Sequence, residues 1–212
     1  MRPFPAGDTV VLATRNAGKL RELARILSQA EPGGGQIRLA GLDAFPGAPD
    51  VPETGATFEA NALLKAGAVA RHTDLPAVAD DSGLCVDALG GMPGVFSARW
   101  AGRHGDDQAN LDLVLGQVAG VPQDRLGARF VCAAALVVPA DGIPREWVVT
   151  GQLEGRLTRA PRGTGGFGYD PIFQADGFDV TTAEMTPDAK NAISHRGRAF
   201  RALAPFITGS LA

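Results

Sequence analysis

The stretch that most constrains this chain is Leu75-Pro-Ala-Val-Ala-Asp80-Asp81-Ser82-Gly83, a short apolar run that ends in two carboxylates, a hydroxyl and a glycine. Leu75 to Ala79 read as a buried strand. That places Asp80 and Asp81 at the carboxyl end of a sheet, where α/β proteins hold their ligands. Neighbouring residues of an extended chain point to opposite faces, so at most one of the two acids faces a given ligand. Adjacent carboxylates repel, and a cation or a ring of donors offsets that cost. A hard cation such as Mg²⁺ suits the place, because it takes one or two carboxylates plus substrate phosphates. The alternative is that Asp80-Asp81-Ser82-Gly83 forms only a solvated turn, since all three residue types favour turns.

The remainder of the chain is read as alternating strands and helices. Thr9 to Ala13 is a buried first strand, Thr14-Arg15-Asn16-Ala17-Gly18-Lys19 a polar loop, and Leu20 to Leu27 an amphipathic helix. A strand, a glycine-containing loop and a helix start make a site for phosphate. It is no Walker A loop, because Ala13 and Leu20 stand where that motif needs Gly and Ser or Thr. Thr57 is placed to cap an Ala-rich helix over Phe58 to Arg71, with Lys65 on its apolar face. That lysine either snorkels to solvent or is a cation held in a cleft. Asp106 or Asp107 caps a helix through Gln117, striped by Leu111, Val114, Leu115 and Val118. Arg129 to Pro139 and Glu146 to Leu153 are strands joined by a hairpin-like link, which makes the sheet mixed.

Gly163, Gly165 and Gly168 fit G-x-G-x-x-G literally. The dinucleotide fingerprint is rejected, because the motif follows a polar Arg/Pro segment rather than a strand, and Asp170-Pro171 blocks a helix. What remains is a glycine loop presenting Phe167 and Tyr169, aromatic faces on which a base could stack. Further on, Lys190, His195 and Arg196 gather positive charge near a final helix over Arg198 to Ile207, with Ser194 as its cap.

Composition bounds the partners. Of 212 residues, 45% are hydrophobic and 20% charged, which is ordinary for a globular chain. A net charge of −3 argues against a nucleic-acid-coating surface. Met1 to Gly7 lacks an apolar h-region, and the apolar run Val131 to Pro139 is too short to span a membrane. Cys85 and Cys132 have no C-x-x-C spacing, which fits a reducing cytosol. From the residues alone the reading is an anion-binding α/β enzyme with a carboxylate metal site. A nucleotide-binding regulatory protein without turnover is the rival.

Five stretches together resemble one family in order and spacing. They are Thr14 to Lys19; Glu53 to Phe58 with Asn61-Ala-Leu-Leu-Lys65; Asp80 to Gly83 with Gly90-Gly-Met-Pro-Gly94; Gly163 to Asp170; and Ser194-His-Arg196. The chain thus resembles the inosine triphosphate pyrophosphatase family in its bacterial XTP/dITP diphosphatase form, from about Thr9 to about Phe206. The resemblance implies a single α/β domain over residues 1–212, an elongated mixed β-sheet flanked by helices in two lobes around a central cleft. It implies a cytoplasmic homodimer that hydrolyses ITP, dITP and XTP to the monophosphate and pyrophosphate with Mg²⁺. It also implies roles. Thr14, Arg15, Asn16, Ala17, Gly18 and Lys19 hold the triphosphate. Glu53 and Asp81 bind the metal, with Asp81 also the general base and Lys65 a catalytic cation on phosphate. Ser82, Phe167, Gly168, Tyr169, Asp170, Lys190, His195 and Arg196 line the nucleoside site. Pro52, not a second acid, precedes Glu53, so Glu53 is the acid available there.

Overall fold

Apolar runs separated by amphipathic segments give, among the described residues, six strands in one sheet with helices packed around it. A computed structural model describes residues 9–15, 20–21, 23–26 and 37–211. The strands are β1 (Thr9–Leu12), β2 (Arg38–Gly41), β3 (Ala77–Val86), β4 (Gly127–Val138), β5 (Arg145–Leu157) and β6 (Phe173–Ala175). Their order is β2-β1-β3-β4-β5-β6. β1 pairs in parallel with β2 (Thr9 opposite Arg38) and with β3 (Val11 opposite Ala77), while β5 and β6 run antiparallel. The sheet is therefore mixed, as the sequence predicts. The expected first helix is present at residues 20–21 and 23–26. The chain divides into two compact units. The first comprises residues 1–81, 133–151 and 196–212, and the second residues 82–132 and 152–195.

In the first unit, β1 is buried along its whole length. Helix α1 (Phe58–Thr73) buries Phe58, Ala62, Ala66, Val69 and Ala70, a stripe at helical spacing. The Thr57 hydroxyl caps it, accepting from the Ala60 N–H at 3.2 Å. Its last residue, Thr73, lies two beyond the expected end, and Asp74 closes it in the left-handed region at φ 55°. Helix α4 (His195–Leu211) carries Pro205 within it and buries Ala199, Phe200, Leu203, Ala204 and Ile207. It is longer at both ends than the sequence reading gave. Each of its fully buried large side chains contributes about 2–3 kcal/mol of transfer free energy.

In the second unit, helix α2 (Asp107–Gln117) packs Leu111 and Val114 against Leu84, Val86, Leu126, Phe130, Leu157 and Phe173. Asp106 is the cap, its carboxylate accepting from the Ala109 N–H at 3.2 Å. Helix α3 (Pro187–Ile193) falls where no helix was expected. Pro187 opens it and the Thr186 hydroxyl accepts from the Ala189 N–H, a proline-after-cap start. Ser194, with extended backbone, is the one residue separating α3 from α4. Both cysteines are buried, and neither is in a disulfide.

One expectation is corrected here. The strand does not stop at Asp80. β3 runs unbroken through Asp80, Asp81, Ser82 and Gly83 to Val86, with nine of its ten residues buried. β3 is an inner strand, paired with β1 at Ala77 and Val78 and flanked on its other side by β4, and this sheet context overrides the local turn preference. Gly83 is required by close approach. A Cβ there would lie 2.4 Å from Ser97 Oγ and 2.5 Å from the Gly94 carbonyl. Ser97 Oγ in turn accepts from the Leu84 N–H at 2.9 Å. Gly83→Ala should therefore cost about 1–3 kcal/mol by overpacking. Thr57→Ala, which loses only a cap, should cost about 1 kcal/mol. Urea midpoints of the two variants check this order, and a neutral Gly83→Ala contradicts it.

Candidate active site

Buried carboxylates in the middle of a strand must find partners, because an isolated buried charge is expensive. Asp80 and Asp81 are 6% and 7% exposed, and they solve this problem on opposite faces of β3. Asp80 Oδ2 accepts from Arg196 Nε at 3.1 Å, a pair separated by 116 residues of sequence. Asp81 turns towards α1. Its Oδ1 accepts from Lys65 Nζ at 3.1 Å and its Oδ2 from Asn61 Nδ2 at 3.0 Å. Lys65 Nζ also donates to Glu53 Oε1 at 2.7 Å.

Asn61 and Lys65 stand four apart on α1 and so share one face. Asn61 is fully buried and uses both ends of its amide. Its Oδ1 accepts from the Gly55 N–H at 2.7 Å, which ties the loop of Glu53 to the acid that Nδ2 holds. The motif containing Asn61 is legible in the sequence, but a role for it is not assigned there. The signal was the i, i+4 spacing of an amide and a lysine on an otherwise apolar face.

These groups shift one another's protonation. Burial works to lower the Lys65 pKa, but Asp81 and Glu53 outweigh it, and Lys65 is held protonated above the ordinary lysine value. Burial pushes the Asp81 carboxyl up from its ordinary range; Lys65 opposes this, Glu53 adds to it and the Asn61 donor opposes it. The cluster thus places a cation between two carboxylates, one of them made more basic than usual. Of the two expectations for Lys65, snorkelling is corrected: the ammonium is drawn inward by two anions.

The glycine loop of the second unit leads into a 3₁₀ turn at Asp170–Ile172 and then β6, not into a helix. This agrees with rejecting a dinucleotide fingerprint. Phe167 is 65% exposed, with Lys190 Nζ 5.2 Å from its ring centroid. Tyr169 is corrected as a stacking face. Its ring is 5% exposed in the apolar core, its hydroxyl donates to the Ser97 carbonyl at 2.8 Å, and burial pushes its phenol pKa up. Asp170 is buried too. It accepts from the Phe167 N–H at 2.8 Å and pairs with Lys190. The Gly168 N–H donates to Asp107 Oδ2 at 2.8 Å. The His195 ring stacks on Phe130, centroids 5.0 Å apart.

Of the other expected positions, Ser82 is half-buried in β3. Thr14 accepts at its carbonyl from the Leu42 N–H at 3.2 Å, and Arg15 faces Asp50 at 3.8 Å on the surface. Asn16, Ala17, Gly18 and Lys19 lie outside the described residues. Arg196, expected at the nucleoside site, has its Nε committed to Asp80.

An α/β sheet bearing an acid–lysine–acid cluster and a separate cation–aromatic–acid loop defines a class of chain, and comparison with known proteins narrows it. A sequence model described as the Ham1 family matches residues 10–206. The chain belongs to the Ham1 family. A relative from Streptomyces coelicolor, named dITP/XTP pyrophosphatase, is 63% identical over 198 residues, covering 93% of this chain and 96% of the relative. A crystal structure of a nucleoside-triphosphatase (dITP/XTP pyrophosphatase) from Mycobacterium abscessus matches with a TM-score of 0.77 at 52% identity, covering 93% of this chain and 99% of that one. The Ham1 protein of Staphylococcus aureus matches with a TM-score of 0.82 at 35% identity, covering 95% and 99%.

The ion-pair account of the cluster makes a pH-dependent prediction. A raised lysine pKa stabilises the fold at every pH below the ordinary lysine value and is lost as pH climbs through the raised one. A raised aspartate pKa has the opposite sense: ionised Asp81 costs stability at neutral pH, and the cost vanishes as pH falls through the ordinary carboxylate range. Lys65→Met should cost about 3 kcal/mol at neutral pH, the low end for a broken buried pair because Lys65 and Glu53 are partly exposed. That deficit should be smaller at about pH 4.5, because the Asp81 carboxyl, raised by burial, takes up its proton as pH falls. Urea unfolding at both pH values checks it. A deficit that does not change with pH contradicts the pairing.

Proposed function

We propose that this protein hydrolyses the non-canonical purine nucleoside triphosphates ITP, dITP and XTP to the monophosphate and pyrophosphate, removing deaminated purines from the nucleotide pool. The observation that carries the reading is the Glu53–Lys65–Asp81 cluster, buttressed by Asn61, in a chain whose relatives at 50–63% identity are named dITP/XTP pyrophosphatase.

Asp81 is suited to a general base. Its raised pKa makes its anion a better proton acceptor than an ordinary aspartate, and Asn61 fixes the carboxylate plane. In the proposed reaction Asp81 takes a proton from water as its oxygen bonds to the α-phosphorus. The bond from that phosphorus to the bridging oxygen breaks, and pyrophosphate leaves with the electron pair. Lys65 stays protonated and offsets charge developing on the phosphates. Thr14 and Arg15, with the loop through Lys19, would hold the triphosphate.

The donor chemistry fits Mg²⁺. Glu53 and Asp81 already converge on one cation, the Lys65 ammonium. Among the described residues, no group of three or more His, Cys, Asp or Glu could hold a metal. Two carboxylates completed by water and phosphate oxygens are the usual Mg²⁺ arrangement. Glu53 and Asp81 would hold the ion, and it would supply charge neutralisation at the phosphates.

For the base, Phe167 offers an exposed stacking face, and Lys190, His195 and Arg196 are the candidate polar contacts. Hypoxanthine and xanthine carry an acceptor at C6 where adenine carries a donor, so hydrogen-bond donors aimed there would reject ATP. The reading extends to a homodimer in the cytoplasm. No helix among the described residues is long and apolar enough to cross a membrane.

Asp81→Asn should lower kcat on ITP by about a hundredfold or more. The wild-type acid limb of kcat/KM should lie above the ~3.9 of an ordinary aspartate and disappear in the variant. The products should be IMP and pyrophosphate, with label from H₂¹⁸O found in IMP. Orthophosphate with IDP as the primary products, or near-normal turnover of Asp81→Asn at saturating Mg²⁺, would reject the mechanism.

A further inference from the structure

The Asp170 carboxylate has both of its oxygens engaged inside the protein. Oδ2 accepts from the Phe167 N–H and pairs with Lys190, and Oδ1 lies 2.7 Å from Thr182 Oγ1. At 3% exposure this acid acts as a hub behind the loop. Gly166 shows how closely the loop wraps it: φ is +73°, and a Cβ there would stand 2.1 Å from Asp170 Oδ2.

The direction of the Thr182 bond follows from its proton count. The hydroxyl has one proton and two oxygens nearby, Asp170 Oδ1 at 2.7 Å and the Asp170 carbonyl at 3.2 Å. The carboxylate is the nearer and the stronger acceptor, so the proton goes there. Thr182 is 1% exposed, and its χ1 is stiff because it is β-branched. Its backbone is held independently. The Thr182 N–H donates to the Phe173 carbonyl at 2.9 Å, and the next carbonyl, of Ala183, accepts from the Gly165 N–H at 2.9 Å. The hydroxyl therefore is not needed to place the segment, only to orient the acid.

Lys190 is a flexible stem ending in a donor-only point charge, and without a fixed anion it would sample many rotamers. Here Asp170 fixes it beside the exposed Phe167 ring. We propose that Thr182 is a specificity-determining positioning residue: its hydroxyl orients the Asp170 carboxylate, which sets the Lys190 ammonium where it meets the C6 acceptor of a deaminated purine stacked on Phe167. This rests on the function proposed above and deepens it. Asp170 itself is a positioning residue rather than a contact to the base, and the selected substrate class is purines with an acceptor at C6.

The test compares kcat/KM for ITP and ATP in four variants. Thr182→Val removes the hydroxyl at nearly constant shape and should narrow the ITP-to-ATP ratio about tenfold. Thr182→Ser keeps the hydroxyl and should retain the wild-type ratio. Lys190→Met should narrow the ratio, and the double variant should narrow it no further, because the two residues act in one chain. Thermal unfolding of each variant separates fold from function. An unchanged ratio in Thr182→Val, or a full additional loss in the double variant, overturns the positioning role. If Thr182→Val does not fold, a narrowed ratio in Thr182→Ser overturns it and a retained one supports it. Wild-type conversion of ITP to IMP and pyrophosphate is the control for the function itself. Its absence removes both readings, whereas normal wild-type turnover with an unchanged ratio removes only this one.

Discussion

Two carboxylates buried side by side in a central strand set the terms for much of this molecule. Neither can be left unpaired at 6–7% exposure, and strand geometry forbids them from sharing a partner directly. One draws an arginine from the start of α4, and the other draws a lysine and an asparagine from α1. The same electrostatics that make Asp80 and Asp81 tolerable give them different characters. Asp80 is closed off in an ion pair. Asp81 is held by a lysine that also serves Glu53, so its burial is only partly compensated and its pKa rises. A more basic carboxylate beside a fixed ammonium is the asymmetry that proton-transfer chemistry on phosphates requires.

The glycine loop shows the same logic with different parts. Backbone positions that only glycine tolerates let the chain wrap a buried aspartate, and that aspartate organises an amide, a hydroxyl and an ammonium. The aromatic that remains in solvent, Phe167, is the one beside the ammonium. Tyr169, two residues on, serves the core. A loop that looks like a flexible string of glycines is in fact tightly specified at its base.

Much of the architecture is legible in the sequence. The apolar runs give β1, β4 and β5, Thr57 and Asp106 announce α1 and α2, and the motif set points to the family that the comparisons show. The failures share one cause. Asp80-Asp81-Ser82-Gly83 reads locally as a turn, and Tyr169 reads as another exposed ring. Each is decided by what packs against it: the inner position of β3 in the sheet, and an apolar core around Tyr169. The Pro187 helix was readable from Thr186-Pro187 but is short, and its signal is masked by the charged residues that follow.

What the sequence by itself determined is which residue types stand in which order: the paired acids, the lysine four residues after an asparagine on a helix, the glycine loop with its aromatics, and through these the family. That follows because periodicity and capping are local properties of the chain. Only the tertiary structure decided which acid meets which cation. Asp80 and Arg196 are separated by 116 residues, Asp170 and Thr182 by 12, and Lys65 reaches Glu53 and Asp81 from between them in sequence. Pairings of this kind are set by the directions in which strand and helix faces project their side chains, and no local signal in the sequence encodes those directions.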